Sequence, residues 1–288
     1  MADTYPATVT RTVAAPHSPT TATVAAPPVR RRRLGPGRPI PYGRAIGPVL
    51  LLAVWVVASA TAVLDPRILS APWTVVATAA DLIESGKLQD SVATSLQRAA
   101  LGFLFGGVAG VTLAVAAGLS RVGEAVIDGP VQIKRAIPSL GLIPLLILWL
   151  GIGETFKVVV IALGVAVTMY VQTHAALTGI DSRFVELAQV QGYSRWQFLR
   201  HVVVPGALPG FFIGLRLGVT GSWLSLIVLE QINATSGIGY LMYQAQNYAQ
   251  TEIIVVGLAV YGLFGFFSDA ALRLVERRVL SWRRTLTS

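Results

Sequence analysis

The chain has 288 residues, of which 53% are hydrophobic and only 13% charged, with a net charge of +9 and no cysteine. A soluble chain of this length needs a larger charged surface, so composition excludes an ordinary soluble domain. The missing cysteines exclude disulfides, Cys-ligated metal centres and Cys nucleophiles. The positive balance raises nucleic acid as a partner, but Lys and Arg gather at both ends and in the short hydrophilic connections between apolar runs. That is the pattern of charge retained on the cytoplasmic side of a membrane, and no nucleic acid is expected.

Residues 1–44 form a separate region rich in Ala, Thr and Pro, ending in the basic run Arg30 to Arg33. Such a segment buries too little surface to offset its chain entropy, so a disordered, basic cytoplasmic tail is expected. Its basic run reads as an orientation signal for the next helix or as a site for anionic membrane lipid. The first apolar run, Ala45 to Leu64, is long enough to cross a bilayer. Ala58-Ser59-Ala60 has the look of a signal-peptide cleavage site, but the leader is long and further spans follow, so a retained helix is expected.

A polar stretch of strand or short-helix character follows, Asp65 to Ser95, and then five more apolar runs. These are Ala99 to Leu119, Ala136 to about Gly153 (interrupted by Pro138 and Pro144), Val158 to about Thr178, a run within Ala207 to Leu229, and about Ile253 to Ala271. The expected fold is thus an all-α integral membrane protein of about six transmembrane helices. With the N-terminus inside, the inner segments hold Arg11, Arg30 to Arg33, Arg38, Arg44, Arg121, Lys134, Arg135, Arg183, Arg195, Arg200, Arg273, Arg277, Arg278, Arg283 and Arg284. The outer ones hold little more than Arg67, Lys87 and Lys157. The asymmetry predicts cytoplasmic N- and C-termini. Gly102, Gly106 and Gly110, and again Gly214 and Gly218, recur at four-residue spacing. Small residues so placed let helices approach closely in lipid, either within one subunit or between two.

No G-x-x-x-x-G-K-[ST] phosphate loop, H-E-x-x-H or G-x-S-x-G occurs, and His17, His174 and His201 are scattered. The chain therefore has no nucleotide cradle, metal set or nucleophile elbow of its own. Polar residues in or near the fourth and fifth runs, Thr168, Gln172, Ser222, Ser225, Glu230 and Asn233, either line a solute pathway or bond to helix carbonyls. Trp149 and Trp223 read as packing or interface residues.

The longest hydrophilic connection on the inner side runs from Asp181 to Gly210, DSRFVELAQVQGYSRWQFLRHVVVPGALPG. Asp181 or Ser182 can cap a short helix reaching about Gln191. Gly192 can end it in a left-handed conformation, and Ser194 can cap a second helix to about Val203, with Pro205 and Pro209 closing it. Phe184, Leu187, Val190, Tyr193, Trp196 and Leu199 are more apolar than a solvated loop requires. They suit either a helix resting on lipid or a docking surface.

This segment resembles the signature loop of ABC-importer permeases: Glu-Ala-Ala, three residues, Gly, nine residues, then Ile-x-Leu-Pro. The chain has Glu186-Leu187-Ala188, three residues, Gly192, nine residues, then Val202-Val203-Val204-Pro205, and its departures all remain apolar. Ser70-Ala71-Pro72-Trp73, Ile143-Pro144-Leu145, Trp149 to Gly153 and Ser236-Gly237-Ile238-Gly239-Tyr240 look like the nitrate/sulfonate/taurine branch.

The resemblance implies the type I importer fold, with residues 45–288 as the permease domain and a coupling loop at about 181–206. That loop would engage an ATPase through Glu186, Leu187, Ala188, Gly192, Tyr193 and Pro205. It implies a homodimeric permease in the bacterial inner membrane, two ATPase subunits that bind ATP and Mg, an extracytoplasmic solute-binding protein, and no cofactor or catalysis in this chain. The solute would be a small polar or anionic one. The rival reading, an ion-coupled secondary transporter, needs intramembrane ionisable residues, for which Glu230, Asp269 and Arg216 are the candidates.

Overall fold

The computed structural model describes residues 43–282. The chain divides into two compact units after Val49. Of the first, only residues 43–49, the opening of α1 (Gly43–Ala60), are described, and the expected tail lies outside the described residues. Every described element is helical: α2 (Pro72–Glu84), α3 (Lys87–Gly118), α4 (Arg121–Ala136), α5 (Ile143–Leu150), α6 (Glu154–Thr178), α7 (Ser182–Val190), α8 (Arg195–Phe198), α9 (Val204–Asn233), α10 (Ile238–Asn247) and α11 (Thr251–Val279).

Four stretches are long and apolar enough to cross a membrane: α3, α6, the continuous helix Arg195–Ile232 and α11. Their outward faces are apolar, with Phe105 59%, Leu224 62% and Phe266 63% exposed. In water such a surface would aggregate; lipid is its natural solvent. The apolar part of α1, Ile46–Ala60, is shorter than these four.

Three expected boundaries differ in the structure. The third run, Ala136 to Gly153, is not one straight span. The chain breaks after α4, makes a 3-10 turn at Ser139–Leu142, and α5 departs at 89° to α4. Pro138 cannot donate into a helix ladder and disfavours helical backbone in the residue before it. Ile137 accordingly is extended, and Pro144 starts the new helix. The polar stretch before the second run holds α2 and the first turns of α3, which begins at Lys87 rather than Ala99. Lastly, Pro205 and Pro209 do not end the helix that starts at Arg195. A π turn at Leu199–Val203 lets the Val204 N–H reach the Leu199 carbonyl. The wider turn falls where Pro205 has no N–H to give, so helix continues across it.

Helix α6 is the centre of the unit. On one side the glycine stripe of α3 lies against its backbone: a Cβ on Gly106 would come within 2.8 Å of Ala162 Cα and of Val165 Cβ, and one on Gly110 within 2.7 Å of Met169 Cβ. On the other side Gly210, Gly214 and Gly218 of α9 face Gln172, Ala176, Met169 and Val165. Both stripes therefore serve packing within one subunit, where the lost side chains permit close backbone approach. Phe156, Val160, Ile161, Val165 and Met169 are buried between them and join Leu226, Leu229 and Ile238 in the main core.

Gly106→Ala should destabilise the fold by about 1–3 kcal/mol through overpacking against backbone. Gly107→Ala, with nothing within 4 Å of its would-be Cβ, should be neutral or slightly stabilising because alanine is the better helix former. Melting of the detergent-purified chain, followed by loss of the monodisperse peak, separates the two; equal melting points would contradict the packing assigned to this seam.

Candidate functional site

Three features combine polar chemistry with a defined geometry. The first is the hairpin made by α7 and α8. The Asp181 side chain accepts from the Arg183 N–H at 2.9 Å and caps α7. At the other end Gly192 has φ +67°, a left-handed backbone that glycine adopts without a Cβ clash. The Tyr193 N–H donates to the Ala188 carbonyl at 2.9 Å and the Gly192 N–H to the Gln189 carbonyl at 3.0 Å, the paired bonds of a Schellman turn. Ser194 and Gln197 then form a reciprocal capping box that starts α8. The Tyr193 ring lies 5.9 Å from that of His201, and Phe198 and Leu199 anchor the base on Leu177, Val203 and Ala207.

All of the hairpin's backbone ends are thus satisfied locally, while its apolar side chains point outward. Val190 is 86% exposed and Trp196 68%, and Phe184 and Leu187 are also exposed; within α7 only Ala188 is buried. Glu186 is exposed, as are Gly192 and Tyr193, and Pro205 sits at the start of α9. The structure therefore brings Glu186, Leu187, Gly192 and Tyr193 together on one presented knob.

The second feature is an ion network that sequence reasoning largely missed, in which Arg98, Glu230 and Lys157 are buried and Glu154 is exposed. Arg98 of α3 donates from Nη1 to Glu230 Oε1 at 2.7 Å and to the Ser236 carbonyl at 2.7 Å. Its Nη2 donates to Glu154 Oε1 at 2.7 Å, and its Nε also pairs with Glu154. Lys157 closes the set on Glu154 at 2.9 Å. Glu230 is wholly inaccessible and accepts in addition from Ser95 Oγ at 2.8 Å, Tyr261 OH at 2.9 Å and the Gly239 N–H at 2.8 Å. The last of these places a carboxylate at the start of α10, where the helix dipole favours it.

A Cβ on Gly239 would lie 2.6 Å from Glu230 Cβ, and Gly237 takes φ +109° while running against the Glu230 carboxylate and Arg98. The Ser236-Gly237-Ile238-Gly239 run is therefore shaped to close over this pair. Arg98 stands 132 residues from Glu230 in the chain and only one before the second apolar run, so no local pattern announced it.

The third feature is a cavity of about 290 Å³ at the break between α4 and α5, lined by Lys134, Arg135, Ser139, Gly164, Thr168 and Gln172 among others. Of the expected pathway residues, Thr168 and Gln172 meet here. Ser222 is buried and donates to the Gly218 carbonyl at 2.9 Å, Ser225 is partly buried, and Glu230 belongs to the ion network. The Asn233 side chain lies outside the described residues. Trp223 is in the core, stacked on Phe264 at 5.0 Å, and Trp149 is exposed. Arg216 pairs with Asp269 at 2.9 Å, and Arg273 also pairs with Asp269. All three residues that could have carried a coupling ion are thus held by ion pairs.

Comparison with known proteins places these features in a wider set. Residues 106–281 match the family described as binding-protein-dependent transport system inner membrane component. SsuC of Escherichia coli (strain K12), named for aliphatic sulfonates transport, is 42% identical over 235 residues, covering 82% of this chain and 89% of that protein. The taurine transport system permease protein TauC of the same organism is 30% identical over 81% of this chain and 86% of its own length. Among solved structures, an amino acid ABC transporter crystallised with histidines aligns with a TM-score of 0.56 over 69% of this chain and 97% of that one. At 16% identity this is a likeness of fold.

Breaking the buried pair tests what holds this end together. Glu230→Gln leaves the Arg98 guanidinium short of charge in a dry site and should cost about 3–5 kcal/mol. Arg98→Leu with Glu230→Leu should recover part of that loss, because no uncompensated charge remains. Melting temperatures of the three chains check it; a Glu230→Gln chain as stable as the parent would contradict the network's role.

Proposed function

This chain belongs to the family of binding-protein-dependent transport system inner membrane components and is a permease subunit of an ABC importer; from that premise we propose that its α7–α8 hairpin docks an ATP-binding-cassette ATPase and that the solute is a small organic sulfonate of the aliphatic or taurine kind. The observation that carries the docking is the hairpin itself. Its backbone is capped at every end, yet it holds an apolar face outward. An amphipathic helix laid into a groove of a partner is a recurring mode of protein recognition.

Two copies of the chain would form the pathway, because a two-fold ATPase pair needs two knobs related by the same axis. ATP and Mg would be bound by the ATPases, and an extracytoplasmic binding protein would deliver the solute. The charge asymmetry supports hairpin, N-terminus and C-terminus on the cytoplasmic side. The sulfonate class rests on the similarity to SsuC and TauC.

The continuous helix Arg195–Ile232 supports a direct mechanical route. Its 38 residues extend about 57 Å. A displacement of the hairpin therefore enters α9 without an intervening loop. Along its length α9 packs on α6, and at its far end Glu230 grips α10. Rocking of packed helices as rigid sets is an established form of alternating access.

In the test, Gly192→Val forces a β-branched residue into φ +67°, at a local cost of roughly 1–2 kcal/mol. Gly192→Asn keeps the backbone, since Asn tolerates the left-handed region. Both should insert in the membrane. Gly192→Val should lose co-purification with the ATPase and substrate-stimulated ATP hydrolysis, Gly192→Asn should retain most of both, and Glu186→Ala should fall between. Full stimulation in Gly192→Val and Glu186→Ala alike would remove the hairpin from the coupling route.

A further inference from the structure

The cavity at the α4–α5 break carries two cations with no counter-charge among the described residues. Lys134 and Arg135 stand in the last turn of α4, and neither forms an ion pair among the described residues. Among the described residues no carboxylate lines the cavity. The nearest acid on the same helix face, Asp128, is engaged by the Tyr170 hydroxyl at 3.0 Å and by Gln132 at 3.2 Å. The remaining polar groups are neutral. Lys134 Nζ donates to Ser139 Oγ, Thr168 Oγ1 donates to the Gly164 carbonyl at 3.0 Å, and Gln172 completes the wall.

Position matters as much as charge. Thr168 lies about 15 Å along α6 from Thr178 and about 21 Å from Glu154, so the cavity opens near the middle of a membrane-crossing helix rather than at its end. The wall opposite is the 89° break between α4 and α5. Irregular backbone at membrane depth is tolerated where it is covered by protein or lines a polar cavity, and interrupted helices are a recurring way to build solute sites there. Cations kept at that depth without a carboxylate mark a functional path.

We propose that this cavity is an anion-binding waypoint of the translocation path, in which Lys134 and Arg135 hold a tetrahedral oxoanion headgroup while Ser139, Thr168 and Gln172 contact the polar remainder of the solute. The inference deepens the sulfonate reading given above and rests on it for the identity of the anion. The charge requirement does not depend on that reading. At about 290 Å³ the space falls just below the usual run of small-molecule sites, about 300 to 1,000 Å³. It suits a small organic anion. The guanidinium fork of Arg135 matches paired oxygens, and the Lys134 ammonium supplies a compact charge beside them. A lipid phosphate has the same headgroup chemistry, but would have to leave the membrane surface to reach mid-helix.

The chain's lack of cysteine allows a direct test on the full-length protein assembled with its ATPase in vesicles. Thr168→Cys is labelled with the sulfonate-bearing reagent 2-sulfonatoethyl methanethiosulfonate and, separately, with its trimethylammonium analogue. Rates are read from the intact mass of the permease and normalised to the same pair of reagents at Val63→Cys, a position 78% exposed after α1. The expected result is a preference for the sulfonate reagent of about tenfold or more, in the range that charged clefts produce. The preference should collapse when Lys134→Gln and Arg135→Gln are added. Equal rates, or a preference that survives loss of both cations, would overturn the proposal.

Two further arms separate the sources of the anion. Labelling in phosphatidylcholine vesicles should be unchanged when phosphatidylglycerol is added; protection by phosphatidylglycerol would assign the site to a headgroup and overturn a solute role. With ethanesulfonate as transported probe, Lys134→Gln should lower ATP-dependent uptake about tenfold or more, with Lys134→Arg retaining most of it. Wild-type uptake that Lys134→Gln leaves unchanged would also overturn the waypoint. A wild-type complex that shows the labelling preference yet takes up no ethanesulfonate would refute the sulfonate reading and leave the anion site standing.

Discussion

The contact between Arg98 and Glu230 is the constraint on which one end of this molecule depends. A buried guanidinium and a buried carboxylate are each expensive to take from water, and the pair is tolerable only because every remaining hydrogen-bonding position is filled. Filling them requires five elements at once: Ser95 and Arg98 from α3, Glu154 and Lys157 from α6, Glu230 from α9, the first turn of α10, and Tyr261 from α11. Ser95 is shared, since its hydroxyl also accepts from the Ile238 N–H at 2.9 Å. Two glycines then let the α9–α10 connection close over the pair. The network therefore sets the geometry of four long helices at the end remote from the hairpin.

Between that network and the hairpin runs a seam in which glycines bring the helices close. α6 is held on one side by the glycines of α3 and on the other by those of α9. At Gly106, Gly110 and Gly210 these contacts bring a glycine up against the α6 backbone, and that tight geometry transmits displacement with little slack. α9 is continuous with α8, so the hairpin, the seam and the buried ion pair lie on one mechanical line. The cavity at the α4–α5 break abuts the same central helix through Thr168 and Gln172. A shift of α9 on α6 is thereby positioned to alter the space in which a solute would rest.

What could be read from the sequence was local. The caps of α7 and α8 were legible because Asp181, Gly192 and Ser194 act on backbone groups within three or four residues of themselves. The apolar runs located α3, α6, α9 and α11, since lipid imposes its requirement on each helix separately. Long-range partners were not legible. Arg98, one residue before the second apolar run, drew no expectation, Lys157 looked like an outside charge, and only the fold brings both to Glu154. Glu230 was noticed for its polarity, but its role became clear only with Ser236 to Gly239 laid across it. Proline was read in both directions. Pro138 and Pro144 do break the third run, more sharply than expected, whereas Pro205 is absorbed by a π turn that has no sequence signature. Lys134 and Arg135 were counted with the inner positive charge, and the helix break that turns them toward Thr168 lay beyond what a charge count could reveal.

The central claim is that this chain works as the membrane half of an ATP-driven machine and not as a carrier powered by an ion gradient. The most direct measurement is solute accumulation in vesicles containing the purified chain, with and without its ATPase and binding protein. ATP is supplied in one series and a proton or sodium gradient in the other. The account predicts accumulation only in the complete ATP-fed system, abolished when the ATPase is replaced by a hydrolysis-deficient form. Accumulation by the chain alone, driven by either gradient, would contradict it.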